Sequence, residues 1–217
     1  MAPKHEDARP QPRLYLIAPE VADPEGLARP LAAALGAADV AAVLLRLADD
    51  AESTLIRRVK TIAPIIQNSG AALILDGRTD IVARSGADGA HLTGAAAFEA
   101  AREDLKPDRI AGAGGILTRH DAMVVAEAGA DYVMFGEPDA QGRRAPFAQI
   151  LDRVQWWQEV FQTPCVAFAA ALAEVHPLAQ AGADFVAVGD FVFRGARPVA
   201  EAVAEAAARV KIAETTA

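Results

Sequence analysis

A single cysteine, Cys165, stands in this chain of 217 residues, so no internal disulfide can form and no thiolate cluster exists to hold a metal. It lies in Thr163-Pro164-Cys165-Val166-Ala167-Phe168, a segment expected to be a buried strand, where a free cysteine acts as a small hydrophobe rather than a nucleophile. Aromatics are scarce, 6% against 53% hydrophobic residues, much of it alanine, which favours many small helix–sheet contacts over an aromatic binding surface. Basic residues are outnumbered 21 to 29, the formal net charge is −8, and no basic stripe appears, so nucleic-acid binding is disfavoured. No stretch approaches the ~18 apolar residues of a membrane span. Residues 1–12 are polar and proline-rich, without the apolar core of a signal peptide. The expectation is a cytoplasmic protein with no membrane partner: a disordered tail over 1–12, one domain over 13–211 and a C-terminal tail over 212–217.

What is present is a repeat. Gly86-Ala87-Asp88, Gly129-Ala130-Asp131 and Gly182-Ala183-Asp184 each precede a short apolar run, and Gly36-Ala37-Ala38-Asp39 is a weaker fourth copy. Each reads as a helix ending on glycine, which takes the left-handed conformation without a Cβ penalty, followed by a strand. The runs are too short for helices and too uniformly apolar for half-exposed strands, so they suit a parallel sheet buried on both faces. The copies recur roughly every 50 residues, about two βα units.

Strands are expected at 13–18, 39–45, 71–76, 88–92, 109–113, 131–136, 164–169 and 184–189. Phe147, Ile150, Leu151, Val154, Trp157 and Phe161 share one helix face, as do Val199, Val203, Ala207 and Val210. Leu55, Ile56, Val59, Ile62 and Ile66 mark another helix, which Pro64 should kink or break. The helix carrying Trp156 and Trp157 packs on the sheet or on a second copy of the chain, and a homodimer stays open. Eight alternating units without a hairpin signal predict a single α/β domain, a (β/α)₈ TIM barrel. An open doubly wound sheet competes, but the first turn, Pro19-Glu20-Val21-Ala22-Asp23, is not glycine-rich.

In such barrels the active site forms at the C-terminal ends of the strands. That rule picks out Arg46, Asp76 and His91 as catalytic candidates, with Asp76 also able to hold a metal. For Arg46, an anion contact competes with a structural pair to Asp76. For Asp76, a turn or helix-cap role competes. For His91, a satisfied core histidine competes with a proton carrier. The run ending in Gly114 and Gly115 offers backbone N–H groups to a phosphate. Arg143, Arg144 and Arg194 offer guanidinium forks to phosphate oxygens, against the ordinary fate of loop arginines, solvation. Asp190 ends strand eight.

Leu14-Tyr15-Leu16-Ile17, Leu73-Ile74-Leu75-Asp76-Gly77-Arg78-Thr79-Asp80, Ala87-Asp88-Gly89-Ala90-His91-Leu92, Gly129-Ala130-Asp131-Tyr132-Val133 with Phe135-Gly136, and the stretch from Val166 to Val188 together resemble the thiamine-phosphate synthase/TenI superfamily over residues 13 to 195. The resemblance implies a reaction that joins a pyrimidine diphosphate to a thiazole phosphate, with magnesium, giving thiamine phosphate and pyrophosphate. TenI-like relatives aromatise a thiazole instead. Several family positions differ here. The Gln-Leu-Arg-x-Lys motif appears as Leu44-Leu45-Arg46-Leu47-Ala48, and the metal-ligating Asp position is Gly77. The second metal carboxylate falls near Ala96, and the serine after strand five is Gly114. The histidine two residues on is Ile116, and the Thr-x-Thr-Lys loop is Asp139 to Arg144. The glycine pair after strand seven is Ala169-Ala170, and the serine after strand eight is Asp190. With these changes, Arg143, Arg144 and Arg194 are expected to form the pyrophosphate clamp. Two other readings stand beside a synthase: a barrel that binds a phosphorylated metabolite or a protein partner without turnover, and a different reaction on a small phosphorylated or carboxylated substrate, with Asp76, His91 and Asp190 as acid–base groups.

Overall fold

The structure, a computed structural model, describes residues 10–211. Residues 1–9 of the tail expected over 1–12, and all of the tail expected over 212–217, therefore lie outside the described residues. Eight parallel strands close into a barrel in sequence order: β1 Arg13–Ile17, β2 Val40–Leu45, β3 Ala72–Asp76, β4 Gly89–Thr93, β5 Ile110–Gly114, β6 Tyr132–Phe135, β7 Cys165–Phe168 and β8 Phe185–Val188. Closure is made by β1 pairing β8, Arg13 opposite Phe185 and Leu16 opposite Val188. Helices α1 Pro24–Ala37, α2 Glu52–Gln67, α3 Val82–Ser85, α4 Ala95–Ala101, α5 Arg119–Glu127, α6 Phe147–Val160 and α7 Leu172–Gln180 connect the strands. The short α8 Asp190–Phe193 and then α9 Val199–Val210 follow β8. No described helix is long and apolar enough to cross a membrane.

Alternation along the strands divides the apolar residues into two layers. Outward residues such as Leu14, Leu16, Val43, Val133 and Phe135 pack against the helices. Inward residues such as Tyr15, Ile17, Leu44, Ile74, Tyr132, Met134 and Val166 fill the barrel. Trp157 is buried against the outer face, edge-on to Phe135, and its indole N–H donates to Thr163 O at 2.8 Å. Trp156 is covered within the chain by the Arg119 guanidinium, 4.7 Å from its ring centre. Cys165 is buried in β7, as expected of a small hydrophobe.

The repeat has a structural role. Gly86, Gly129 and Gly182 take φ values of 82°, 92° and 103°, and each turns the chain from a helix towards an even-numbered strand. The aspartate two residues later reaches back to the preceding odd-numbered strand. Asp88 accepts from Leu73 N–H, Asp131 from Ala111 N–H and Asp184 from Cys165 N–H, each at 2.7 Å. The weak copy differs: Gly36 lies inside α1, and Asp39 instead pairs with the Arg13 guanidinium at 2.7 Å. Of the kink or break expected at Pro64, the break is corrected, since α2 runs through it to Gln67. Pro64 stands in the last turn, where one lost backbone bond is outweighed by burial of Ile62, Ala63 and Ile66.

Candidate functional site

A cavity of about 430 Å³ opens at the C-terminal mouth, lined by Glu20, Arg46, Leu47, Asp76, Asp190 and Arg194. Residues distant in sequence meet here because each follows the end of a strand: Glu20 after β1, Arg46 after β2, Asp76 at the end of β3, Asp190 and Arg194 after β8. Arg46 Nε lies 3.7 Å from Asp76 Oδ2, and Arg194 Nε lies 3.7 Å from Asp190 Oδ1. These are loose ion pairs on partly exposed groups, so a ligand anion can compete for either guanidinium. Burial raises the Asp76 carboxyl above its ordinary value, against the pull of His91 and Arg46.

His91 lies deeper, 1% exposed, with its backbone in register with Asp76. Its Nδ1 is 2.9 Å from the Tyr132 hydroxyl, which is 2.9 Å from the Tyr15 hydroxyl. Its Nε2 is 3.2 Å from Glu137 Oε1, close enough for an ion pair but not aligned as a hydrogen bond. Glu137 Oε2 accepts from Gly115 N–H at 3.0 Å. Burial opposes charge on His91, yet Glu137 and Asp76 raise its imidazole above the usual value. Burial likewise opposes charge on Glu137, which His91 and the Gly115 amide nevertheless hold below the usual carboxylate value. The two phenols are pushed up by burial and stay neutral hydroxyls.

The structure thus brings Arg46, Asp76, Asp190 and Arg194 to one cavity and sets His91 below it. It commits other expected ligand groups elsewhere. Arg144, expected in the clamp, donates to Gly136 O at 2.6 Å, to Phe168 O at 2.5 Å and to Glu174 at 2.9 Å, a tie between strand ends. Arg143 is 77% exposed and bound to Asp139 at 2.8 Å, and it does not line the mouth cavity. The Gly115 N–H is held by Glu137, and the Ala170 N–H by Glu174 at 2.8 Å. Ala169 is buried, its N–H donating to Ala187 O. Gly114 serves sterically: a Cβ there would overlap Glu137 Oε2 and His91 Nε2. Glu137, Tyr132 and Tyr15 were not among the expected site residues. Their signal was Gly112 and Gly114, two inward positions on β5 without a Cβ, because a Cβ at Gly112 would strike Tyr132.

The donor set does not fit the magnesium that the resemblance implies. Asp76 faces a guanidinium, Gly77 holds a left-handed φ of 66°, and position 96 is an alanine in α4. Among the described residues no group of three His, Cys, Asp or Glu side chains is placed to hold a metal.

Comparison with known proteins agrees with this architecture. The family described as thiamine monophosphate synthase matches residues 14–192. A thiamine-phosphate synthase of Rhodospirillum centenum is 42% identical over 196 residues, covering 89% of this chain and 95% of that protein. A thiamine-phosphate synthase of Hyphomonas neptunium is 33% identical, covering 85% and 87%. Among solved structures, thiamine phosphate pyrophosphorylase from Pyrococcus furiosus superposes with a TM-score of 0.77 at 24% identity, covering 92% of this chain and 96% of that one, a likeness of fold. A barrel with this repeat, this strand order and these relatives belongs to the thiamine monophosphate synthase family.

Proposed function

We propose that the chain joins a hydroxymethylpyrimidine diphosphate to a thiazole phosphate at the mouth, releasing pyrophosphate. The observation that carries this reading is the convergence of Arg46 and Arg194 with Asp76 and Asp190 around one cavity. The bond between the pyrimidine methylene and the diphosphate oxygen breaks, its electron pair leaving with the diphosphate. The thiazole nitrogen then bonds to the methylene carbon. The protein's main task is to stabilise negative charge on the departing group, and Arg46 and Arg194 are the guanidinium groups that line the cavity. Asp76 and Asp190 keep those guanidinium groups oriented and suit the cationic heterocycle that forms. Family members use magnesium, but the described side chains at the mouth do not assemble a site for it, so no step is assigned to a metal.

Incubating the protein with both precursors, with and without magnesium, and separating products by chromatography tests the proposal. Thiamine phosphate and pyrophosphate in equal amounts are expected, with loss of both in R46A/R194A. A second reading, a binding barrel without turnover, is favoured by the internal commitment of Arg144 and of the Gly115 and Ala170 amides. It predicts a melting shift with either precursor and no product.

A further inference from the structure

We propose that Glu137 is a positioning residue: it holds His91 against Tyr132, and with Tyr15 these side chains form a buried chain that takes up or releases one proton beneath the mouth. Its effect on turnover rests on the synthase reading above, whereas its effect on His91 does not.

The geometry leaves little freedom. Glu137 is fixed at one oxygen by the Gly115 amide and sets the other 3.2 Å from His91 Nε2. The contact exists because position 114 lacks a Cβ, and the tyrosine link exists because position 112 lacks one. The His91 and Tyr132 rings lie nearly parallel, 15° apart with centres 5.7 Å apart, both buried and joined by the 2.9 Å Nδ1–hydroxyl contact.

Counting hydrogens gives two states with the same heavy-atom positions. In one, a neutral imidazole carries its hydrogen on Nε2, towards Glu137. Tyr15 then donates to Tyr132, and Tyr132 donates to His91 Nδ1. In the other, a proton from solvent sits on Nδ1, which donates to Tyr132. Tyr132 donates to Tyr15, which then accepts across the same 2.9 Å contact. Both hydroxyls reverse, and no bond between heavy atoms forms or breaks.

The groups that face His91 are Glu137 beyond β6, Asp76 on β3, Arg46 beyond β2, and the neutral Tyr132 and Tyr15 on β6 and β1. Strand β5 contributes only glycine at its facing positions, 112 and 114. Glu137 and Asp76 favour the protonated ring, whereas burial and Arg46 oppose it. Glu137 is the one in ion-pair contact, so it decides the balance.

The test is ring-nitrogen NMR of His91 across pH in the full chain, assigned with H91N, beside the pH dependence of kcat. In E137Q the His91 titration midpoint should fall by at least one pH unit, and E137D should restore half of that fall or more. The limb of the kcat profile should move the same way, with KM for the thiazole phosphate unchanged within threefold. Should E137Q fail to fold, Y132F should speed exchange of the Nδ1 hydrogen at least tenfold at a pH where the ring is charged. An unchanged His91 midpoint in E137Q, or unaltered Nδ1 exchange in Y132F, overturns the proposal. So does a shifted midpoint with an unmoved kcat profile, which would make Glu137 purely structural. If no sample, the unsubstituted protein included, yields thiamine phosphate while the His91 shift appears, the synthase reading fails and the proton-holding chain stands.

Discussion

Arg144 Nη2 donates to Phe168 O at 2.5 Å, the last carbonyl of β7, while Nε of the same guanidinium donates to Gly136 O at 2.6 Å, just beyond β6. One side chain therefore ties two neighbouring strand ends at the rim. Glu174 on α7 pairs with its Nη1 and also takes the Ala170 N–H, so the loop after β7 is held by the same group. Arg144 is 15% exposed and Arg143, its neighbour, 77%. R144A leaves two carbonyls and a carboxylate without their donor and should cost about 2–4 kcal/mol. R144K should not restore the loss, because an ammonium cannot span that fork. R143A should cost no more than about 1 kcal/mol, the range of a solvated pair. Urea unfolding of the three variants checks the order.

At the mouth the distinction between adjacent arginines carries over to ligands. Arg46 and Arg194 line the cavity, each only loosely paired at 3.7 Å. R46A and R194A should each weaken pyrophosphate binding about tenfold, the value of one charge-assisted contact. R143A should leave it unchanged, and added salt should weaken binding to the parent protein. Calorimetric titration with pyrophosphate measures all four. Equal affinity in R46A, R194A and the parent would remove the mouth as the anion site.

The His91–Glu137 pair also predicts how stability follows pH. His91 is raised in the fold above its ordinary 6.5, so its contribution is complete below that value and fades as pH climbs through the folded value. Glu137 is lowered below its ordinary 4.5, so its contribution is complete above that value and fades as pH falls through the folded one. The stability difference between the parent and E137Q should therefore be largest between about pH 4.5 and 6.5, shrinking on both sides. Unfolding at a series of pH values reads it directly. A difference that keeps growing above pH 7 would contradict the sign of the His91 shift.

The strands were legible because a strand buried on both faces is apolar without interruption, and every predicted strand falls within a residue or two of its observed limits. The rim was legible for a related reason: a charge that ends such a run, as at Arg46 or Asp76, must sit where the barrel meets water. Arg144 was not, because its partners are two carbonyls and a glutamate from other elements, and nothing local in Gln141-Gly142-Arg143-Arg144 distinguishes it from Arg143. Glu137 stands one residue past Gly136, where a loop carboxylate is unremarked until Gly114 shows what space was left for it. Gly36 resembled the other repeat glycines in sequence, yet α1 extends past it to Ala37 and the turn is made without a left-handed residue.

The repeated aspartates supply a last prediction, and it separates sequence likeness from structural role. Asp88, Asp131 and Asp184 each accept a backbone N–H from a fully buried residue, Leu73, Ala111 or Cys165. Replacing any one by alanine leaves that N–H without its acceptor where water cannot easily reach, a cost of about 1–3 kcal/mol. Asp39 stands at the matching place in the fourth copy but is 73% exposed and pairs only with the Arg13 side chain. D39A should cost about 1 kcal/mol or less. The three clamps bind different strands, so the losses in D88A, D131A and D184A should add in a double variant to within about 0.5 kcal/mol. Urea denaturation of the four single variants and one double variant measures this. A D39A loss equal to the others would mean that the fourth copy clamps its strand by another route, and a D131A loss near zero would mean the repeat is a relic of sequence rather than a device of the barrel.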